Sequence, residues 1–122
     1  MSRSIAALGG AAIMLGAVSP ALGWGAIAVS NLQASRFGYG FDHPTKESAE
    51  QRALAECGRG CKVVVTFPSG CGAYAYGNYK GERDYGIGRG PTRAKAEDDA
   101  LDDCEFALWA ECKIKVWACN GN

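Results

Sequence analysis

Ala49-Glu50-Gln51-Arg52-Ala53-Leu54-Ala55-Glu56-Cys57 and Ala96-Glu97-Asp98-Asp99-Ala100-Leu101-Asp102-Asp103-Cys104 spell the same pattern, A-E-x-x-A-L-x-x-C, at two places in the chain. In each copy Ala, Ala, Leu and Cys recur at i, i+4, i+5 and i+8, which is one stripe of a helix. Pro44-Thr45 and Pro91-Thr92 stand ahead of the copies, and Thr45 and Thr92 carry the hydroxyl that an N-cap uses to accept a first-turn amide. Glu47 falls in the first turn, where the helix dipole favours an acid, and Gly58 and Gly60 stop the first helix just after Cys57.

The correspondence extends outward from these helices. Gly25-Ala26-Ile27-Ala28-Val29 mirrors Gly72-Ala73-Tyr74-Ala75-Tyr76, Phe37-Gly38-Tyr39-Gly40 resembles Tyr85-Gly86-Ile87-Gly88, and Cys61-Lys62-Val63-Val64-Val65 matches Cys112-Lys113-Ile114-Lys115-Val116. The segments 26–30, 62–67, 73–76 and 113–118 are β-branched, aromatic or alternating and read as strands. Pro68-Ser69-Gly70 reads as a tight connection. The fold expected is α+β: two strand-helix-strand repeats, about 24–70 and 71–122, forming a mainly antiparallel sheet with two helices on one face, stapled by three disulfides. A right-handed crossover over each helix would make one strand pair parallel.

The N-terminus reads as an export signal. Arg3 supplies a positive n-region, 5–18 is uncharged and apolar, and Ala21-Leu22-Gly23 places small residues where a signal peptidase looks, so 1–23 is a leader cleaved after Gly23. The run is short for a bilayer span and is interrupted by Pro20, although an uncleaved anchor is the alternative; no stable membrane insertion is expected after cleavage. Without Arg3 the chain holds 12 basic and 13 acidic residues, a formal charge of −1. That balance argues against nucleic acid or an anionic membrane surface as partner.

All six cysteines follow the leader, and an even number in a short exported chain reads as a disulfide framework in a domain whose core is small. Six cysteines allow fifteen pairings. Cys57 and Cys61 occupy the same unit positions as Cys104 and Cys112; if each unit closes its own helix-to-strand bend, these pair within their units and Cys71 pairs with Cys119. A redox dithiol would present C-x-x-C at a helix N-terminus, whereas Cys57-Gly58-Arg59-Gly60-Cys61 has one residue more and sits at a helix C-terminus. There is no C-x-x-C knuckle for zinc, so neither metal nor cofactor is expected.

His43 is the single histidine, in Phe41-Asp42-His43-Pro44; a hydrolase could be built on it with Asp42 and a serine such as Ser69, but the spacing does not demand that geometry, and no catalytic residue is assigned. Asp98, Asp102 and Glu105 line one stripe of the second helix, with Asp99 and Asp103 beside it, and offer a face to a cationic partner. The glycine-aromatic stretches bring Phe37, Tyr39, Phe41, Tyr74, Tyr76, Tyr79 and Tyr85 next to glycines that let the backbone bend. Such rings suit either recognition or the packing of a leucine-poor core.

The chain resembles the bacterial exported family "domain of unknown function 4189". The residues that carry the resemblance are Trp24-Gly25-Ala26-Ile27-Ala28, Cys61 to Phe67, Gly70-Cys71-Gly72-Ala73, Gly90-Pro91-Thr92 with Ala94 to Ala100, and Cys112-Lys113 to Trp117-Ala118-Cys119-Asn120. The resemblance implies no activity and no catalytic residues; it points to secreted mycobacterial proteins associated with the host interface. The reading is therefore a secreted or periplasmic, non-enzymatic binding module for a protein or envelope component. A secreted hydrolase using His43 and a purely structural envelope protein are the alternatives.

Overall fold

The structure is a computed structural model that describes residues 23–79, 81–108 and 111–121, without the side chains of Tyr79 and residues 106–108. The leader expected at 1–23 lies, apart from Gly23, outside the described residues.

The first half runs β1 (Trp24–Val29), β2 (Phe37–His43), α1 (Lys46–Cys57) and β3 (Lys62–Phe67). The second runs β4 (Cys71–Tyr79), β5 (Glu82–Gly90), α2 (Arg93–Leu108) and β6 (Cys112–Cys119). Both helices begin where the threonines predict: Thr45 Oγ1 accepts from the Ser48 amide at 3.0 Å and Thr92 Oγ1 from the Lys95 amide at 3.2 Å. α1 ends at Gly58, whose φ of +102° suits glycine. No basic residue stands in its last turn, and Arg36 from the β1–β2 loop replaces one, donating to the Cys57 and Arg59 carbonyls at 2.8 Å.

The α+β class, two helices, antiparallel pairing and three disulfides are as expected; the layering is not. Each half contains a third strand, and the strands form two three-stranded sheets, ordered β2-β1-β3 and β5-β4-β6, with every pair antiparallel. The crossover through each helix does join strands running the same way. The central strand lies between them, so no parallel pair forms.

The helices are on opposite outer faces rather than on one face. Alternation along the central strands explains why. On β1, Ala26 and Ala28 turn outward onto Ala49, Ala53 and Cys57 of α1, while Ile27 and Val29 turn inward. On β4, Ala73 and Ala75 turn outward onto Ala96, Ala100 and Cys104 of α2, while Tyr74 turns inward. Ile27, Val29, Val65 and Phe67 from one sheet then meet Tyr74, Val116 and Ala118 from the other in a shared middle layer. Four layers result: helix, sheet, sheet, helix.

The glycine-rich strands β2 and β5 were hidden by low strand propensity. Their glycines sit under the helices. A Cβ at Gly38 would lie 2.5 Å from the Cys57 nitrogen and 2.9 Å from the Glu56 Cβ; at Gly86 it would lie 3.0 Å from the Asp103 Cβ, and at Gly88 2.5 Å from the Ala100 nitrogen. Helix backbone occupies the space that side chains would need. Small residues at i, i+4 and i+8 of each helix and glycines on each strand are two sides of one contact.

Disulfides join Cys57 to Cys61, Cys104 to Cys112 and Cys71 to Cys119, and the described cysteines include none that is free. The first two each close a helix-to-strand bend. The third ties directly opposed residues of β4 and β6.

Candidate functional site: an aromatic groove between two strand edges

A two-sheet sandwich has four edge strands, here β2 and β3 on one sheet and β5 and β6 on the other. Their main-chain groups can be assigned from two bonds. The Ser30 amide donates to the Arg36 carbonyl at 3.0 Å, so Arg36 faces β1; along an alternating strand Gly38 and Gly40 face β1 as well, and Phe37 and Tyr39 direct their N–H and C=O away from the sheet. The Asn120 amide donates to the Gly70 carbonyl at 2.8 Å, so Ala118 faces β4 while Trp117 and Cys119 direct theirs outward.

These two outward rows border one groove. Phe37, Tyr39 and Phe41 line one wall and Lys115, Trp117 and Cys119 the other, around a cavity of 390 Å³. Phe37, Phe41 and Trp117 are 42%, 41% and 36% exposed, and Tyr39 is half-buried against the middle layer. Tyr39 stacks on Phe41 with centroids 6.2 Å apart, and the Arg93 guanidinium lies 3.9 Å over the Trp117 ring. At one end the groove is closed by a reciprocal clip: Asn120 Oδ1 accepts from the Asp42 amide at 2.7 Å, and Asp42 Oδ1 accepts from the Gly121 amide at 2.6 Å. Asp42 adopts φ of +61° to make this contact. The buried Asn120 Nδ2 has no partner among the described residues.

The opposite pair of edges, β3 and β5, is bridged at one point and capped at another by the chain's own side chains, with cavities of 290 and 470 Å³ on either side. Arg89 Nε donates to the Thr66 carbonyl at 2.8 Å, and the outward Ile87 amide donates to Asp103 Oδ2 at 3.1 Å. Phe41 occupies on β2 the place that Arg89 has on β5, and Glu56 occupies on α1 the place of Asp103. Glu56 instead pairs with Arg52 at 2.8 Å. The β2–β6 side therefore has neither the arginine bridge nor the carboxylate cap.

The other rings read from the sequence fall elsewhere. Tyr74, expected on a recognition surface, is 1% exposed and belongs to the core; its hydroxyl donates to the Leu32 carbonyl at 2.7 Å. Burial pushes its phenol up to about 12, and Tyr85, Asp84 and Tyr76 push the same way. Tyr76 packs against the middle layer, and Tyr85 is exposed and stacks on Tyr74 at 5.7 Å. The Tyr79 side chain lies outside the described residues.

Asp98, Asp102 and Glu105 stand exposed on the solvent side of α2, away from the groove. Asp99 bonds Lys95 at 3.0 Å and holds its ammonium above the ordinary lysine value. Among the described residues no three His, Cys, Asp or Glu side chains come together as metal ligands. His43 Nδ1 lies 3.2 Å from Ser48 Oγ, not near Ser69. The Ser48 hydroxyl also lies 3.1 Å from the Thr45 carbonyl, to which it can donate. As arranged, this is a helix-capping network, in which Thr45 Oγ1 also donates to Ser48 Oγ at 3.0 Å.

Lys115, Trp117 and Asn120 were not picked out as site residues by the sequence, and Asp42 figured there only as a possible partner of His43. Lys115 is the extra residue of a β-bulge, opposite the step from Tyr74 to Ala75, and nothing local marks it. Trp117 could have been suspected as a large ring alternating with lysines in a strand.

A family model described as "Domain of unknown function (DUF4189)" matches residues 24–119. "Uncharacterized protein Rv1813c" of Mycobacterium tuberculosis is 41% identical over 104 residues, 84% of this chain and 64% of its own length. "Protein Rv1269c" of the same organism is 39% identical over 98 residues, 80% of this chain and 69% of its own. The matched region thus spans somewhat under two thirds of the first of these relatives. No solved structure matches the chain.

Proposed function

The chain belongs to the family described as domain of unknown function 4189, and on that premise we propose that it is a non-enzymatic binding module, exported to the cell envelope or beyond, that captures its partner in the groove between β2 and β6. One observation carries this reading. Of the four large apolar side chains that stand exposed among the described residues, three, Phe37, Phe41 and Trp117, border the same groove. Large exposed rings gathered in a concavity are a typical signature of recognition, because they bury much area while freezing few rotamers. Cys71–Cys119 ties the β6 wall to β4, which lowers the ordering cost of binding on that side, and the three disulfides suit an oxidising compartment. No helix among the described residues is long and apolar enough to cross a membrane.

The test is a photo-crosslinking amino acid placed at Phe41 in the exported protein, followed by recovery of adducts from envelope and culture fluid. The expected result is a defined adduct that disappears when Phe37→Ser and Trp117→Ser are introduced together, while the far-UV spectrum and melting temperature hold. Adducts that persist in that variant would refute the groove as the binding site.

A further inference from the structure

We infer that the groove takes an extended polypeptide segment, added as a strand on the β2 edge and antiparallel to it. The inference rests on the binding reading above and supplies its chemistry. Phe37 and Tyr39 present N–H and C=O outward, and among the described residues no side chain caps them, whereas the corresponding row on β5 is capped by Asp103 at the Ile87 amide. An uncapped row of alternating donors and acceptors is matched by another peptide backbone, and an edge left unprotected is a template for pairing. Across the groove Trp117 and Cys119 present a second outward row. β2 and β6 both end at the Asp42–Asn120 clip, so they run in the same sense, and a segment antiparallel to one is antiparallel to the other.

The walls also decide the shape of the occupant. α1 packs on the outer face of β2, with the Arg52 Cβ 3.1 Å from where a Gly40 side chain would begin, and β6 of the other sheet supplies the far wall of the groove. Alternate side chains of the added strand would face Phe37, Phe41 and Trp117 and should be apolar; Lys115 on the far wall favours an acidic residue in the segment.

The experiment uses the oxidised full-length protein and a display library of seven-residue peptides with apolar and polar positions alternating and one glutamate permitted. The expected outcome is selection of alternating binders. The best of them should weaken at least tenfold when alternate amides are N-methylated, and likewise against Tyr39→Pro, which removes an outward donor while sparing the bonds to β1. In the unmodified protein, hydrogen exchange at the Phe37 and Tyr39 amides should slow on binding, a readout that does not depend on the variant folding. Equal affinity for the N-methylated peptide, unchanged exchange, or no binder from the library would overturn strand addition. If groove variants nevertheless lose the crosslinked partner, the binding reading stands without it. Concentration-dependent dimerisation abolished by Tyr39→Pro would assign the edge to a second copy and overturn the inference as well.

Discussion

Replacing Gly88 by alanine tests whether glycine on β5 exists to seat α2. The added Cβ would overlap the Ala96 carbonyl oxygen and stand 2.5 Å from the Ala100 nitrogen and 2.9 Å from the Asp99 Cβ. Ordinary contacts of this kind lie near about 3.5 Å, so helix and strand must part by about 1 Å. The atoms met belong mainly to backbone, and α2 has little freedom: Ala96, Ala100 and Cys104 are fully buried and Cys104 is bonded to Cys112. Overpacking of a rigid contact costs about 1–3 kcal/mol, and alanine returns about 0.4–1 kcal/mol by restricting the unfolded chain. Taking the upper end for a backbone collision leaves about 2 kcal/mol, a fall in melting temperature of about 8–16 °C for a domain of this size. Gly40→Ala is the internal comparison. Its nearest atoms are the Ala49 oxygen at 2.9 Å and the exposed Arg52 side chain at 3.1 Å, so less movement relieves it. The loss there should stay below about 1 kcal/mol. Thermal melts by circular dichroism and calorimetry, with the disulfides kept oxidised, measure both. A Gly88→Ala melt within about 3 °C of the parent, or one higher than that of Gly40→Ala, would refute the seating argument.

Other outcomes follow from the core and the staples. The Tyr74 phenol is raised from 10.0 to about 12, so the unfolded chain loses this proton first as pH rises. Its contribution is complete below pH 10 and falls away between about 10 and 12, by up to about 3 kcal/mol. Denaturant midpoints taken from pH 8 to 11.5 should drop in the parent and drop less in Tyr74→Phe, and parallel curves would contradict the assignment. Among the disulfides, Cys71–Cys119 closes 48 residues of sequence and Cys57–Cys61 only 4. Paired alanine replacement should cost about 4 kcal/mol for the first and about 2 kcal/mol for the second, and equal losses in chemical unfolding would argue against the loop-closure account.

The amino-acid sequence by itself determined the local features. Ala, Ala and Cys four residues apart after a threonine cap specify a helix whatever lies around it, and the fixed offset between the two copies set the α+β class and the number of helices. Valine- and isoleucine-rich β1 and β3 were legible for the same reason, since alternation is written along a single strand. β2 and β5 were not, because glycine denotes flexibility until the helix that fills its missing side chain is in place. Tertiary structure alone decided that the helices lie on opposite faces, since that depends on which inward residues of two separate sheets meet. It also decided the groove. Phe37 and Trp117 are 80 positions apart in the chain and line opposite walls of one groove only through the placement of β2 and β6 in their sheets and the clip between Asp42 and Asn120. That one pair of sandwich edges carries the Arg89 bridge and the Asp103 cap while the other has neither depends on contacts across 23 and 16 residues, which no local pattern encodes.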